Sequence, residues 1–297
     1  MNGKKIKQIN NLVITEKDGV YLAWTPLNQI YCIKPTLLEI EKVCNSCLLF
    51  INKPVEKIIN KRPNAIQQRD IILAKKLVEQ DNLVLYHGTK DSNLRPSYEY
   101  NNSNNDYGKG FYTTPDKELG KEWAYSTYTK GNKGYLYTYT IDLRGLDILD
   151  LTKCDSLHWI AELLYNRTIN VENKEALQDI IDEFLLKYKL DTSKKDIIIG
   201  YRADDSYFTY ATDFVSGNIY RDTLENALRY GDLGLQVFIK SEEAFMRLKQ
   251  VGNPIEVDKK YAQLYAKRDK LARDKYRTDK NLQNRSAREK KRITDFL

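Results

Sequence analysis

Two histidines stand in 297 residues, and one of them, His87, falls within the run Leu-Val-Leu-Tyr-His-Gly-Thr at 83–89. Taken alone it says little, because a buried histidine satisfied by hydrogen bonds is a common structural device. Its neighbours add chemistry. Thr89 offers a hydroxyl, and Gly88 offers a backbone that a flat ligand can approach closely because no Cβ intervenes. That combination suits an amide-bearing ring. Other groups carry less. Cys44 and Cys47 have Cys-x-x-Cys spacing, but they sit in an apolar helical pattern with no second pair and no nearby histidine, so zinc or redox chemistry is disfavoured. His158 stands beside Trp159 on a helical stretch and reads as structural. No glycine pattern fits a triphosphate loop or a dinucleotide fold, since Tyr107-Gly-Lys-Gly-Phe-Tyr112 lacks both spacings.

The elements that must hold these groups follow from periodicity. Residues 1–80 open on short β-like runs, "LVIT", "GVYLAW" and "QIYCI", followed by helical pattern with Pro35 at a first turn and further pieces punctuated by Pro54 and Pro63. They are expected to form a separable, mainly helical module. From 83 onward tyrosine becomes dense, with ten between Tyr86 and Tyr139. "NLVLYHG" and "GYLYTYTID" read as strands, with a helix between them capped by Asp116. Two helices should follow at "SLHWIAELLYNR" and "NKEALQDIIDEFLLKYKL". Then come a strand at "KDIIIGYRADDSYF", a short helix at "TLENALRYG", a strand at "LGLQVFIKS" and a helix at "EEAFMRLKQV". The expected architecture is an α+β domain over about 83–252, followed by a basic helical tail at 255–297.

Composition narrows the function classes. An apolar content of 41% supports a buried core, and no apolar run reaches the roughly 18 residues that span a bilayer. No secretion signal is visible at the N-terminus, and four scattered cysteines form no disulfide scaffold, so a cytoplasmic protein without a membrane role is the expectation. The net charge of +7 belongs to the tail: residues 258–297 hold 14 Lys/Arg against 6 Asp/Glu, a local +8 that leaves residues 1–257 at −1. Such an arm suits a polyanion or an acidic protein. Its thin apolar stripe, Tyr261, Leu264, Tyr265 and Leu271, implies a largely solvated helix.

Four segments taken in order carry a resemblance: "YHGT" at 86–89, "YGKGFYTT" at 107–114, "IGYRADD" at 199–205 and "QVFIK" at 236–240. The set resembles the ADP-ribosyltransferase superfamily, in the branch shared by diphtheria toxin and the poly(ADP-ribose) polymerases, and it is most similar to a bacterial branch with these four segments. The resemblance implies a split β-sheet fold that wedges NAD, used as substrate with no metal. It assigns His87 and Thr89 to the ribose, Gly88 to the nicotinamide carboxamide through its backbone, and Tyr112 and Trp123 to stacking on the nicotinamide ring. Gly110 counts with the cofactor-binding residues. Two aromatic faces around a cationic pyridinium would gain roughly 0.5–2 kcal/mol each.

One position departs from the pattern. Where the superfamily has a glutamate on its last strand, this chain has Gln236, which can hydrogen-bond a ribose hydroxyl but cannot act as a base. Asp204 and Asp205, in the polar turn after "DIIIGYRA", are the nearest replacement carboxylates by pattern; an Asp-rich turn capping a helix is the competing reading. The resemblance implies transfer of ADP-ribose to a protein or nucleic-acid acceptor by a bacterial or phage toxin or modifier, with an acidic antitoxin or nucleic acid as a partner for the tail. The alternatives are a catalytically weak NAD or ADP-ribose binding module, and a nucleic-acid-binding protein whose main device is the tail.

Overall fold

The computed structural model describes residues 3–9, 12–24, 30–46, 65–98, 104–125, 133–167, 174–203, 205–227, 229–230, 232–283 and 292–297. By its contacts the chain divides into two units, residues 1–56 with 182–188, and residues 57–181 with 189–297.

The first unit is a meander. Strands β1 (Lys4–Ile9), β2 (Leu12–Lys17), β3 (Val20–Trp24) and β4 (Ile30–Lys34) pair antiparallel in sequence order, and α1 (Leu37–Ser46) packs on them. Asp18 and Gly19 make the β2–β3 turn with φ of 53° and 78°, the left-handed pair that a two-residue hairpin demands. A small core of Leu12, Ile14, Ala23, Ile40 and Cys44, with Leu186 packed against it, holds the sheet to the helix. The mainly helical module expected over residues 1–80 is therefore corrected: among the described residues its first part is a four-stranded sheet with α1, and its second helix, at 65–78, groups with the other unit. Lysine-rich β1 hides its alternation, because only Ile6 and Ile9 mark the inward face. The Pro54 and Pro63 pieces and Cys47 lie outside the described residues.

The second unit begins with α2 (Ala65–Val78), β5 (Leu83–Thr89), β6 (Phe111–Thr113), α3 (Lys117–Trp123), β7 (Gly134–Ile141) and β8 (Ile148–Asp150). It continues through α4 (Ser156–Asn166), α5 (Lys174–Tyr188, whose last seven residues group with the meander), β9 (Ile197–Tyr201), α6 (Asp205–Val215) and α7 (Arg221–Ala227). β10 (Leu235–Ile239), α8 (Glu242–Met246), β11 (Lys249–Gln250), β12 (Ile255–Val257) and α9 (Lys260–Leu282) complete it. Two small sheets result. One runs β6-β10-β9-β8, antiparallel except for the parallel β8–β9 pair; in the other β7 pairs antiparallel with β5, β11 and β12. β9 and β10 lie inside their sheet and are buried on both faces, which explains the unbroken apolar runs "III" and "VFI". The main core joins Leu83, Leu85, Tyr139, Ile199 and Val237 to Ala74 and Leu77 of α2, so α2 belongs with this unit although the texture of the sequence changes only at 83. Asp116 caps α3 as its sequence indicates, accepting from the N–H groups of Glu118 and Leu119.

The tail helix is less solvated than its charge suggests. Tyr261, Tyr265, Ala272 and Tyr276 of α9 are buried, whereas Leu264 and Leu271 are 46% and 60% exposed, so the buried face is tyrosine-built. Polar groups seat it: Arg268 donates to both oxygens of Glu122 on α3 at 2.9 and 2.8 Å, Tyr261 donates to Glu118, and Tyr276 and Lys280 donate to Asp213 on α6. Ile293 is buried beyond the helix, and the Phe296 ring lies tilted against Phe214 with centroids 6.3 Å apart.

Because Glu122 is only 4% exposed, removing its partner leaves a buried carboxylate uncompensated. Arg268→Ala is expected to lower unfolding free energy by about 3 kcal/mol in urea titrations. Adding Glu122→Gln to that variant is expected to recover at least half of the loss.

Candidate functional site

β5 and β6 belong to different sheets and meet at one bridge. Tyr86 and Thr114 exchange backbone hydrogen bonds of 2.8 and 2.9 Å, and beyond them the strands part. One residue on, the His87 side chain occupies the parting: its Nδ1–H donates to the Tyr112 carbonyl at 2.7 Å, and its ring stacks on Phe111 with centroids 4.7 Å apart. A carbonyl can only accept, so Nδ1 carries the proton in the neutral ring. Burial pushes the His87 pKa down to about 4, against the opposing pull of the Tyr112 carbonyl.

On the other face of β5 the constraint is steric. A Cβ on Gly88 would land on the Gly120 carbonyl oxygen and within 2.6 Å of the Ala124 nitrogen, and one on Gly120 would meet the Tyr86 Cβ at 2.9 Å. The two glycines let the α3 backbone lie directly on β5, and that contact sets Trp123 beside Gly88. The Trp123 ring face is covered by the Arg202 guanidinium at 4.7 Å, and its buried Nε1–H has no hydrogen-bond partner among the described residues.

Tyr112 anchors a loop. Its hydroxyl donates to the Gly108 carbonyl at 2.8 Å and accepts from the Tyr107 N–H at 3.0 Å, while its ring packs on Phe238, its cross-strand partner. A Cβ on Gly110 would collide with the Phe238 ring and the Ile239 carbonyl. Burial, with Asp106 next to it, holds the Tyr112 phenol well above its usual range. Tyr112 points to the opposite face of β6 from Phe111, the ring on which His87 stacks, so His87 and Tyr112 are joined through a backbone carbonyl and not ring to ring. Thr89 accepts from the Asp91 N–H at 3.2 Å in a turn.

Gln236 is 2% exposed on β10. Its Nε2 donates to Asp106 Oδ2 at 2.9 Å and to the Tyr201 carbonyl at 3.3 Å. Asp106 Oδ2 also accepts from the Ala203 N–H at 2.9 Å, and Arg167 Nε stands 3.6 Å from Oδ1. Burial raises the Asp106 pKa, opposed by Arg167, the Ala203 N–H, Gln236 and Arg202. The carboxylate that meets Gln236 is thus Asp106, five residues before Phe111. Asp204 lies outside the described residues, as does the side chain of Asp205, which opens α6.

The structure therefore brings together Gly88 and Trp123, links Trp123 through Arg202 and Ala203 to Asp106, and links Asp106 to Gln236. Asp106, Arg167, Arg202 and Tyr107 are the members that sequence reasoning missed. Asp106 directly precedes "YGKGFY", so an acid at that flank was the available signal. Tyr107 lies across Gly200, where a Cβ would strike its hydroxyl, and it donates to the Tyr201 carbonyl at 2.6 Å. Among the described residues no cluster of three or more His, Cys, Asp or Glu could hold a metal ion, and no helix is long and apolar enough to cross a membrane.

A family model described as "Protein of unknown function (DUF3990)" matches residues 83–250, more than half of the chain, and the chain belongs to that family. No curated protein and no solved structure matches it.

The low His87 pKa makes stability depend on pH. The unfolded chain takes up a proton near 6.5 and the folded one only near 4, so stability present above 6.5 is lost as pH falls toward 4. Between pH 7.5 and 5 this group alone is expected to remove about 2 kcal/mol. Denaturation at those two values checks it: His87→Asn, which keeps a donor for the Tyr112 carbonyl, should show a loss smaller by about that amount.

Proposed function

We propose that this member of the family is an NAD-dependent ADP-ribosyltransferase with a split-sheet catalytic domain. The observation that carries the reading is convergence: the segments around Gly88, Asp106–Tyr112, Arg202–Ala203 and Gln236, scattered over about 150 residues, form one continuous line of contacts. Two further features support it. The Trp123 face already accommodates a planar cation, which is the demand that a pyridinium ring makes. The sheets join at one bridge and part beside it, as a fold that wedges a dinucleotide requires.

In this reading Trp123 and the backbone of Gly88 receive the nicotinamide, with Arg202 displaced from the ring, and Tyr112 and Gly110 shape the loop between them. Gln236 accepts a hydrogen bond from a hydroxyl of the reacting ribose. The bond between the ribose C1′ and the nicotinamide nitrogen breaks with its electron pair going to that nitrogen, which neutralises the pyridinium. A nucleophile on a protein or nucleic acid, or water, adds its lone pair to C1′ and releases a proton to solvent. Confining the charged ribose beside buried dipoles and excluding bulk water supplies the rate enhancement. His87 acts from the junction, holding the two strands apart at a fixed distance.

A second reading, an NAD or ADP-ribose binding module, is favoured by one observation: the amide hydrogens of Gln236 and the Tyr112 hydroxyl are all committed to internal partners. The nucleic-acid reading rests on the tail, where Arg268, Arg273 and Lys280 already serve ion pairs.

Incubation with NAD labelled in the adenylate half separates the first two readings. Nicotinamide release with label on protein or RNA is expected of the transferase; tight binding with intact NAD identifies the module. Trp123→Ala should weaken NAD binding about tenfold, by loss of roughly 1–2 kcal/mol of ring stacking. Absence of both binding and cleavage in the parent chain would sink both NAD readings.

A further inference from the structure

Gln236 can present only one group to a ligand. Its Nε2 hydrogens go to Asp106 Oδ2 at 2.9 Å and the Tyr201 carbonyl at 3.3 Å. Flipping the amide would set Oε1 against a carboxylate and a carbonyl, both acceptors, so the orientation is fixed by its surroundings. What remains is Oε1, an acceptor. Asp106 in turn is 5% exposed and is itself held, by the Ala203 N–H at 2.9 Å and by Arg167 at 3.6 Å. A buried carboxylate hydrogen-bonded to an amide N–H polarises that amide and increases the negative charge on its oxygen.

We propose that Asp106 and Gln236 act as one acid–amide pair in place of the single glutamate of related transferases, with Gln236 touching the ribose and Asp106 as the positioning residue that orients and polarises it. This rests on the transferase reading above. The amide supplies the hydroxyl acceptor, and the carboxylate supplies the negative charge that a developing oxocarbenium ion needs, one amide length from the sugar. Position 236 therefore needs no glutamate. Placing one there sets two carboxyl groups within hydrogen-bond reach of each other, a pair that cannot both ionise without strong repulsion.

The groups facing this pair are Arg167 just after α4, the Tyr201 carbonyl at the end of β9 and Arg202 beyond it, and Tyr107 and Tyr112 from the loop and β6, with Glu162 acting on the two tyrosines. Burial holds both tyrosines well above their usual range, and Glu162 is present in the parent and every variant alike, so an ionisation that appears only with Gln236→Glu belongs to the carboxyl pair.

The test measures nicotinamide release from NAD, with water as acceptor, for the full chain and three variants, with circular dichroism and melting as checks of folding. Asp106→Asn keeps an acceptor for Gln236 and Ala203 but removes the charge. It is expected to lower kcat about a hundredfold while changing KM less than about threefold. Gln236→Glu is expected to retain activity at pH 5–6 and lose it toward pH 8, a limb that the parent lacks. The combined Asp106→Asn, Gln236→Glu exchange restores one acid and one amide. It is expected to return to within about tenfold of the parent with the added pH limb gone.

An unchanged kcat in folded Asp106→Asn overturns the proposal. So does a folded exchange variant about a hundredfold or more below the parent, a comparison with the parent that stands even if the single variant fails to fold. A parent chain that neither binds nor cleaves NAD overturns the transferase reading and the pair's role together, whereas normal NAD cleavage with insensitive Asp106 variants overturns the pair alone.

Discussion

The larger unit depends on the few hydrogen bonds that join its two sheets. Two backbone bonds between Tyr86 and Thr114, followed by the bond from His87 to the Tyr112 carbonyl, replace what would be a continuous ladder in an ordinary sheet. A side chain standing where a backbone N–H would otherwise donate keeps the buried carbonyl satisfied while the strands separate. This accounts for a histidine at a buried position where a charge would be costly. The ring is long enough to cross the gap, it donates from one nitrogen, and its neutral form is the one that burial favours.

From that junction the remaining geometry follows in two directions. On one side of β5, Gly88 and Gly120 remove the side chains that would keep α3 at normal helix-to-sheet distance, so Trp123 comes down onto the end of the strand. On the other sheet, pairing of Tyr112 with Phe238 fixes the register between β6 and β10, and Gln236 stands two residues before Phe238 on the same face. The loop that carries Asp106 is pinned from within by the Tyr112 hydroxyl. Asp106 reaches Gln236 because a tyrosine, and not a tight turn alone, shapes its loop.

Features set by local chemistry were legible in the sequence. Asp116 caps α3, and the apolar runs of β9 and β10 are central strands. His87 and Gly88 stand out in the sequence, and in the fold packing accounts for the glycine more directly than access by a ligand. What escaped was set by distant partners. Nothing near Asp106 in the chain announces Gln236, 130 residues away, or the Ala203 N–H, 97 residues away. The stripe on α9 read as thin because it stopped at Leu271, short of the buried Ala272 and Tyr276, and because the ion pair from Arg268 is not an apolar contact, yet these groups seat the helix. In the meander, outward lysines masked β1, while Asp18-Gly19 carried the hairpin information.

The ion pairs that fasten the larger unit span long stretches of chain: Arg69 reaches Asp232 and Arg268 reaches Glu122, separations of 163 and 146 residues. Closing such loops costs chain entropy before any contact rewards it, so this unit is slow to assemble. The hairpins of the meander, by contrast, close over a few residues. During synthesis the meander sheet can form early, while α3, β5 and the groups around Gln236 wait for β10 and α9. A ribosome-bound intermediate would therefore carry Glu122 without its arginine and the Asp106 loop without its amide. The chemistry proposed for this chain would be switched on late in its own production, by arrival of the segments that complete the site.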